Sequence, residues 1–290
     1  MLAVQLTLTG LQVGALYALT AVGFSLIFGS TRVFHFAHGA TFAIAAYLFY
    51  AVEAAGFGFV PGLLAALAGA VLFGVALDAL IYRPIQRDEG SFFTVFVASF
   101  GVGIVAQNLL GMSFGRSFVT VTSPLSRSTE LMEGVYIAPL AYISVATALV
   151  CLLGLWLFLK YTTTGKGLRA LSDNPELVRV FGLSPRKLSM AAFAIGSALV
   201  VPSAVFTTMS SGLNPAIGHH VMLISLAATI VGGIGSIGGT MIAALIFGLA
   251  ENLALLWFEP QWSEAVTFGI LFATIILRPS GLMGRAAHGQ

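Results

Sequence analysis

Long apolar runs alternate with short polar breaks along nearly the whole chain. Nine runs have 15 or more residues, and about 20 apolar residues suffice to cross a bilayer as a helix. They lie at about 5–28, 38–55, 60–81, 92–111, 136–159, 189–210, 217–237, 239–257 and 263–277. The 38–55 run is short and glycines interrupt 217–257, so either region is compatible with a re-entrant segment. The pattern therefore predicts eight or nine transmembrane helices.

The composition supports a helical membrane protein. Hydrophobic residues make up 58% of the chain and charged residues 8%, whereas soluble domains carry about 25% charged residues. Strands of a membrane barrel alternate polar and apolar residues, and these runs do not. We therefore predict an all-α polytopic membrane protein with one transmembrane domain, residues 1–290, that includes glycine-broken segments.

The longest polar segment rich in positive charge is 160–187, KYTTTGKGLRALSDNPELVRVFGLSPRK. Its six cations and two carboxylates give a net charge of +4, and such loops are retained in the cytoplasm. Alternation of nine spans then puts eleven of the 13 Lys and Arg residues inside and the N-terminus outside. A re-entrant 38–55 would put the N-terminus inside with a split of ten to three, so charge leaves this point open.

A short helix is predicted within this cytoplasmic loop. Asn174 is an expected N-cap, Pro175 suits the first helical position, and Gly182 is an expected stop. Two interpretations remain, a helix lying at the lipid headgroups and a coupling helix inserted into a groove on an ATPase subunit. The apolar side chains need burial, which favours coupling. The candidate coupling residues are Pro175, Glu176, Leu177, Val178, Val180, Phe181 and Gly182.

Two histidines, His35 and His38, interrupt an apolar region just before Gly39. Ionisable residues at membrane depth are candidates for function. Metal binding is not expected, because the sequence offers no third histidine, cysteine or carboxylate nearby. Structural hydrogen bonding by a neutral imidazole and a direct role in a translocation pathway both remain open.

Five glycines fall within 231–240, VGGIGSIGGT, between two apolar runs. Such a segment makes a poor helix interior, and broken helices at membrane depth often line transport pathways. A tight turn between helices is the alternative. Glu251 is interpreted in two ways, as a structural pairing partner and as a pathway residue. The pathway candidates are therefore His35, His38, Gly39, Gly232, Gly233, Gly235 and Glu251.

Other polar residues in the runs are interpreted as structural. Asp78 is expected to form an ion pair with Arg83, which lies near the same end of its run. Gln107 and Asn108 are expected to form hydrogen bonds between helices.

Two glycine pairs are expected to mark close helix packing. Gly10 and Gly14 form a GxxxG pair in the first run, and Gly101 and Gly103 lie in the fourth. Small residues allow neighbouring helix backbones to approach each other.

No catalytic constellation is visible, so an enzyme is not expected. The chain lacks the GxxxxGK[ST] pattern of a phosphate-binding loop and a Ser/His/Asp arrangement. His219 and His220 are expected to be solvated in an outer loop. Cys151 is the single cysteine and lies in an apolar run, which excludes a disulfide within the chain as an organising feature.

Three segments resemble the LivH-type permeases of branched-chain amino acid ABC transporters. Residues 23–47, GFSLIFGSTRVFHFAHGATFAIAAY, resemble that family's GLSLIFGV…INFAHGE…GAY signature. Residues 165–199 resemble its coupling segment and the helix that follows. Residues 230–253 resemble its VVGGLGSIPGA…LGLAE segment. The resemblance covers roughly residues 8–283, with the three motifs in the family's order.

The resemblance implies the transmembrane subunit of an ATP-driven importer in the bacterial inner membrane. It implies a second homologous permease subunit, two cytoplasmic ATPase subunits that hold ATP and magnesium, and a periplasmic substrate-binding protein. This chain would bind no cofactor itself. The implied substrates are leucine, isoleucine and valine.

Departures from the family pattern keep alternatives open. His35 and Ala40 replace the family's Asn and Glu, 200–204 replaces a small-residue AGLAG segment, and Ser225 stands where lysine is frequent. Urea, short amides or other amino acids are therefore alternative substrates. An ATP-independent channel or secondary transporter is a further alternative, but it would leave segment 160–187 without a role.

Overall fold

The computed structural model describes residues 1–88, 90–132 and 134–284, without the side chains of residues 131, 132 and 177. The helices within this part are α1 Leu2–Thr31, α2 His38–Ala54, α3 Phe59–Leu77, α4 Arg83–Arg87, α5 Phe92–Phe114, α6 Pro139–Tyr161, α7 Thr163–Asp173, α8 Pro175–Val180, α9 Pro185–Ser210, α10 Ile217–Gly232, α11 Ile237–Ala254 and α12 Ser263–Leu277. A π-helical turn, Asp78–Tyr82, joins α3 to α4. Strands β1 Thr129–Met132 and β2 Val135–Ile137 form an antiparallel hairpin.

Seven helical segments of the described chain are long and apolar enough to cross a membrane. They are Leu2–Thr31, Phe59–Arg87, Phe92–Phe114, Pro139–Tyr161, Pro185–Ser210, Ile237–Ala254 and Pro260–Leu277. The other two predicted runs form the shorter helices α2, of 17 residues, and α10, of 16 residues. The predicted helical membrane fold is confirmed, with the short β-hairpin as an addition. The two shorter helices account for the difference between seven spans and eight or nine.

The loops lie on two opposite faces. Helix α1 has 30 residues and is therefore about 45 Å long. Near its start, the Gln5 side chain donates to the Tyr136 carbonyl and accepts from its amide, both at 2.7 Å. Just past its end, Arg32 donates to the Ser172 carbonyl at 3.3 Å. The N-terminus thus lies opposite segment 160–187, and by the positive-inside rule it lies outside.

Helix α1 is the centre of the bundle and packs against α6, α9, α10 and α11. A Cβ placed on Gly14 would lie 3.0 Å from the Leu245 Cα, and one on Gly248 would lie 2.2 Å from the Gly14 nitrogen. The first predicted glycine pair therefore marks backbone contact between α1 and α11. The prediction for Gly101 and Gly103 is wrong, since a Cβ at either position would meet no described atom within 4 Å beyond its chain neighbours and the adjacent backbone of its own helix.

The expected ion pair closes the cytoplasmic end of α3. Asp78 is buried, pairs with Arg83, and accepts a hydrogen bond of 2.9 Å from the Ser189 hydroxyl. Arg83 also donates to the Arg186 carbonyl at 3.0 Å. These contacts join the π-helical turn to the first turns of α9 and so position segment 160–187 against the bundle.

Candidate translocation site and cytoplasmic segment

His35 and His38 lie side by side in the interior, each with 0% of its surface exposed. Their ring centroids are 5.5 Å apart. His35 Nδ1 lies 2.8 Å from the Tyr82 hydroxyl, which lies 2.7 Å from the Ser99 hydroxyl. The Ser99 oxygen accepts a bond of 2.9 Å from the Ala37 amide. This chain of hydrogen bonds fixes the irregular segment before α2 against α5 and the π-helical turn.

His38 is fixed by a different contact. Its Nε2 donates to the Thr20 carbonyl of α1 at 2.9 Å, because a carbonyl oxygen only accepts. Its Nδ1 and the Nε2 of His35 have no hydrogen-bond partner within the described part of the chain. Buried polar atoms are nearly always paired, so the two free nitrogens are unusual. Each histidine therefore combines one structural contact with one unused polar atom.

The next residue, Gly39, brings the starts of the two short helices together. A Cβ on Gly39 would lie 2.0 Å from the Gly218 carbonyl oxygen, so α2 and α10 cross in direct backbone contact. Any side chain at Gly39 would separate them. The histidines and Gly39 thus lie where two short helices begin inside the bundle.

The glycine-rich segment lies elsewhere, at the cytoplasmic face, as a compact turn between α10 and α11. Gly233 and Gly235 have φ values of 99° and 84°, which favour glycine. A Cβ on Gly232 would lie 2.3 Å from the Thr240 nitrogen, so the flanking helices are in backbone contact. This geometry matches the tight interhelical turn, and a pathway role for the three glycines stays a prediction.

A polar cavity of about 660 Å³ lies beside this turn. Gly235 and Ser236 line it on one side, and Arg32, Lys166 and Arg169 contribute positive charge. The cavity connects the end of α1 with α7 on the cytoplasmic face. It is separate from the histidine pair.

Glu251 is the third candidate and belongs to a network that joins four helices. Tyr17 of α1 donates to one carboxylate oxygen at 2.9 Å, and Thr267 of α12 donates to the other. The Tyr17 hydroxyl also lies 3.1 Å from His220 Nε2, and His220 Nδ1 lies 2.9 Å from a carboxylate oxygen of Glu264. These contacts fit the structural interpretation of Glu251.

The expectation that His219 and His220 are solvated in a loop is wrong. Both lie in the first turn of α10, where His220 bonds as above and His219 packs against Phe36 and Phe100. A local signal was present in the sequence, because Asn214 and a following proline are typical of a helix start. The Asn214 side chain does accept a 3.0 Å hydrogen bond from the Ala216 amide.

The expectation for the amides of α5 is also wrong. Asn108 donates to the Ile104 carbonyl of its own helix at 2.9 Å rather than to another helix. Gln107 makes no side-chain hydrogen bond within the described part of the chain and lines a small pocket with His219 and Gly39. Sequence reasoning missed this pocket because it depends on which face of α5 meets α2 and α10.

The cytoplasmic segment has the predicted short helix and one more. Helix α7 was not predicted; its cap is Thr162, whose hydroxyl accepts from the Gly165 amide at 2.9 Å. Helix α8 starts as expected, with the Asn174 side chain accepting from the Glu176 amide at 2.9 Å. It ends before Gly182, whose φ is 76°.

The side chains of α8 and the turn after it divide into an anchored set and an exposed set. Val178 is 1% exposed and belongs to an apolar cluster with Leu168 and Leu188. Val180 and Phe181 are 79% and 78% exposed. Pro175 and Glu176 are also exposed, and the side chain of Leu177 lies outside the described part. An anchored helix thus presents apolar side chains away from the bundle.

Comparisons with known proteins agree with this architecture. The family model described as "Branched-chain amino acid transport system / permease component" matches residues 6–275. The chain belongs to this permease family. The permease is therefore a transport component rather than an enzyme, and a multi-pass protein of the inner membrane.

Curated relatives match almost end to end. The permease is 30% identical to the "High-affinity branched-chain amino acid transport system permease protein BraD" of Pseudomonas aeruginosa, over 97% of this chain and 95% of the relative. It is 27% identical to the LivH protein of the same description from Escherichia coli K12, with the same coverage.

A solved structure shares the fold. It is "PsaBC from Streptococcus pneumoniae in complex with Fab", with a TM-score of 0.52 and 12% sequence identity. The match covers 96% of the permease and 91% of that chain. At this identity the likeness concerns the fold alone.

Proposed function

We propose that the permease is the transmembrane subunit of an ATP-driven ABC importer. Its cargo would be branched-chain amino acids or related small solutes, delivered by a periplasmic binding protein. The names of the relatives with 95% coverage support the substrate class. The observation that carries the proposal is the anchored helix α8 with exposed Val180 and Phe181 at the cytoplasmic face.

Helix α8 suits a coupling role because α7 and α9 fix its position on the side that faces the bundle. Val178 packs into the cluster shared with α7 and α9, so a force on α8 is transmitted to those helices. Val180 and Phe181 remain free for a groove on a partner. Docking an apolar helix face into such a groove is a common mode of recognition.

The partners follow from this assignment. A second homologous permease subunit would complete the membrane unit, and two cytoplasmic ATPase subunits would hold ATP and magnesium. The permease itself would bind no cofactor. Closure of the ATPase pair would move α8 and switch the pathway from outward-facing to inward-facing.

Within the membrane, we assign the pathway to the region of His38 and Gly39. Two histidine nitrogens in this region have no partner in the described part of the chain, and the region lies beside the crossing of two short helices. Short helices whose ends meet inside the bilayer expose polar backbone groups to a substrate. Glu251 and the glycine-rich turn would support the pathway through packing.

The test is reconstitution of the permease with its genomic neighbours, a second permease, ATPases and a binding protein, in proteoliposomes. ATPase activity is measured with leucine, isoleucine, valine, other amino acids, urea and short amides. We expect stimulation by branched-chain amino acids. Stimulation only by another solute would retain the importer and reject the substrate. Failure to form a stable complex with any ATPase would reject the coupling assignment.

A further inference from the structure

The polar cavity beside the glycine-rich turn is large enough to hold a ligand. Its volume is about 660 Å³, whereas one water needs only about 10–15 Å³ of a cavity. The end of α1, helix α7 and the glycine-rich turn form most of its wall. Lys166 and Arg169 line the cavity and are exposed, so solutes in the cytoplasm have access to it.

The charges around the cavity favour an anion. Three cations, Arg32, Lys166 and Arg169, and one carboxylate, Asp173, give the lining a net charge of +2. Among the described residues, none of the three cations forms an ion pair. Arg32 donates to the Ser172 carbonyl at 3.3 Å, and its guanidinium has further N–H groups to offer. Most donors on these cations are therefore available to a ligand.

Helix α7 holds two of the cations in fixed positions. Lys166, Arg169 and Asp173 are spaced three and four residues apart, so they share one face of the helix. Leu168 and Leu171 lie on the other side, and both are buried in the bundle. The apolar face therefore anchors α7, and its charged face is directed into the cavity.

The backbone at Arg32 is a separate sign of function. Arg32 ends α1 with a φ of 55°, and in the described part of the chain no other residue except glycine has a positive φ. Glycine or asparagine is usual at such a position, because a larger side chain crowds the backbone there. Strained backbone of this kind concentrates at ligand sites. The strain indicates that the guanidinium of Arg32 is needed at the cavity.

The donors that line the cavity suit a phosphate group. Arginines bind phosphate oxygens through pairs of N–H groups, and a lysine adds a point charge. The Ser172 hydroxyl lies 3.8 Å from a Cβ placed on Gly29 and 4.0 Å from one on Gly235, so it also belongs to the wall. No described lining residue is aromatic, so an apolar ligand would find little surface to contact. A zwitterionic amino acid has no net charge to match this positive lining.

The cavity lies near the lipid headgroups of the inner leaflet. Helix α6 ends at Tyr161, and the Lys160 ammonium lies 4.6 Å from the Trp156 ring centroid and 5.2 Å from that of Tyr161. Aromatic and basic residues of this kind mark the membrane–water interface. Helix α7 begins directly afterwards, at Thr163. Anionic headgroups and soluble phosphates are therefore both within reach of its charged face.

We propose that this cavity binds a phosphate-bearing anion between Arg32 of α1 and the charged face of α7. Two sources carry this chemistry, the headgroup of an anionic phospholipid and a soluble phosphate ester of the cytoplasm. The ligand would join α1 to α7 beside the Arg32–Ser172 hydrogen bond and so hold the cytoplasmic segment against the bundle. The site is separate from the coupling residues of α8 and does not depend on the proposed transport function.

Calorimetric titration of the delipidated full chain in a maltoside detergent tests the site. The probes are dihexanoyl phosphatidylglycerol, dihexanoyl phosphatidylcholine and glycerol phosphate; the second has the phosphate of the first but no net charge. Lys166→Gln, Arg169→Gln and Arg32→Asn each remove one cation, and asparagine tolerates the left-handed backbone at the end of α1. Lys187→Gln is the matched control, because Lys187 is an exposed lysine of the same segment outside the cavity.

We expect one saturable site for phosphatidylglycerol and much weaker binding of phosphatidylcholine. Each cavity variant should raise the Kd roughly tenfold through loss of a charge-assisted hydrogen bond, whereas Lys187→Gln should change it less than about twofold. Binding of phosphatidylglycerol without glycerol phosphate would identify a lipid headgroup as the source. Equally tight binding of glycerol phosphate, with the same losses in the variants, would identify a soluble phosphate.

The absence of saturable binding by every probe would overturn the site. It would also be overturned if Lys187→Gln weakened binding as much as Lys166→Gln, since net charge alone would then explain the affinity. Phosphatidylcholine that binds as tightly as phosphatidylglycerol would overturn the requirement for an anion. Arg169→Lys keeps the charge without the paired N–H groups and should bind more tightly than Arg169→Gln, at unchanged size-exclusion elution. Equal losses in these two variants would contradict the role of charge at Arg169.

Discussion

The middle of the bundle buries polar atoms, whereas the cytoplasmic segment exposes apolar side chains. Around His38, two buried histidine nitrogens have no hydrogen-bond partner among the described residues and lie in an apolar setting. At the end of α8, apolar Val180 and Phe181 are exposed at a face rich in charge. Both arrangements are costly for an isolated chain. Under the proposed function, a polar substrate would complete the first region and an apolar groove on an ATPase subunit would complete the second.

The glycine-rich turn at 231–240 provides a useful contrast with both. Its sequence indicates a broken helix as strongly as the histidine region does. Its helices are in backbone contact, however, and Ser236 caps α11 by accepting from the Gly239 amide at 3.1 Å. A break in a helix therefore indicates a pathway site only where it leaves polar groups without hydrogen-bond partners.

The largest effect is expected from Gly39→Val, which removes the crossing of α2 and α10. The nearest atom to a Cβ is a backbone oxygen at 2.0 Å, so no side-chain movement relieves the clash. We expect a loss of more than about 4 kcal/mol of stability and no folded permease. Fluorescence-detected size exclusion measures this. Gly101→Val is the control because its Cβ meets open space, and equal losses from both would contradict the crossing.

The second effect concerns the exposed apolar side chains of the cytoplasmic segment. Phe181→Asp should abolish co-purification with the ATPase subunits, because a charge replaces an apolar anchor at the centre of the proposed contact. Membrane abundance should not change, since Phe181 is 78% exposed and supports little of the fold.

Phe181→Leu is the matched variant for this test. It keeps an apolar side chain and should retain ATPase association to within about threefold. If Phe181→Asp co-purifies with the ATPases as well as Phe181→Leu does, α8 is not the coupling element. A headgroup-lying helix would then be the better interpretation of α8.

The third effect separates the two histidines. His38→Ala should lower uptake roughly tenfold at unchanged membrane abundance, because it removes the unpaired nitrogen assigned to the pathway. His35→Ala should instead destabilise the fold by about 2 kcal/mol, since the Tyr82 hydroxyl loses a buried partner. Uptake assays and thermal unfolding distinguish these outcomes. Unchanged uptake by His38→Ala would contradict the pathway role and leave structural hydrogen bonding as the function of His38.

Local patterns predicted what depends on local physics. A helix that crosses the bilayer must be apolar over its length, and this requirement is visible in the sequence. The nine apolar runs therefore correspond to nine helices near the predicted positions. Asn174 and Gly182 cap α8 because capping depends on a few neighbouring residues. Gln107, Gly103 and His219 could not be placed in the same way. Their roles depend on which side of α5 and α10 meets a neighbour, and a helix that is apolar all round gives no such signal.

The smallest effect is expected from Gly235→Ala in the glycine-rich turn. A Cβ there meets only the Ser172 hydroxyl, at 4.0 Å, so the cost is limited to the positive φ of 84°. About 1 kcal/mol is typical of such strain, and we expect a small decrease in thermal stability with uptake retained. Gly232→Ala, with a Cβ 2.3 Å from the Thr240 nitrogen, should cost clearly more. Loss of uptake by Gly235→Ala at normal stability would make this turn part of the pathway, and the contrast between packed and unsatisfied helix breaks would then fail.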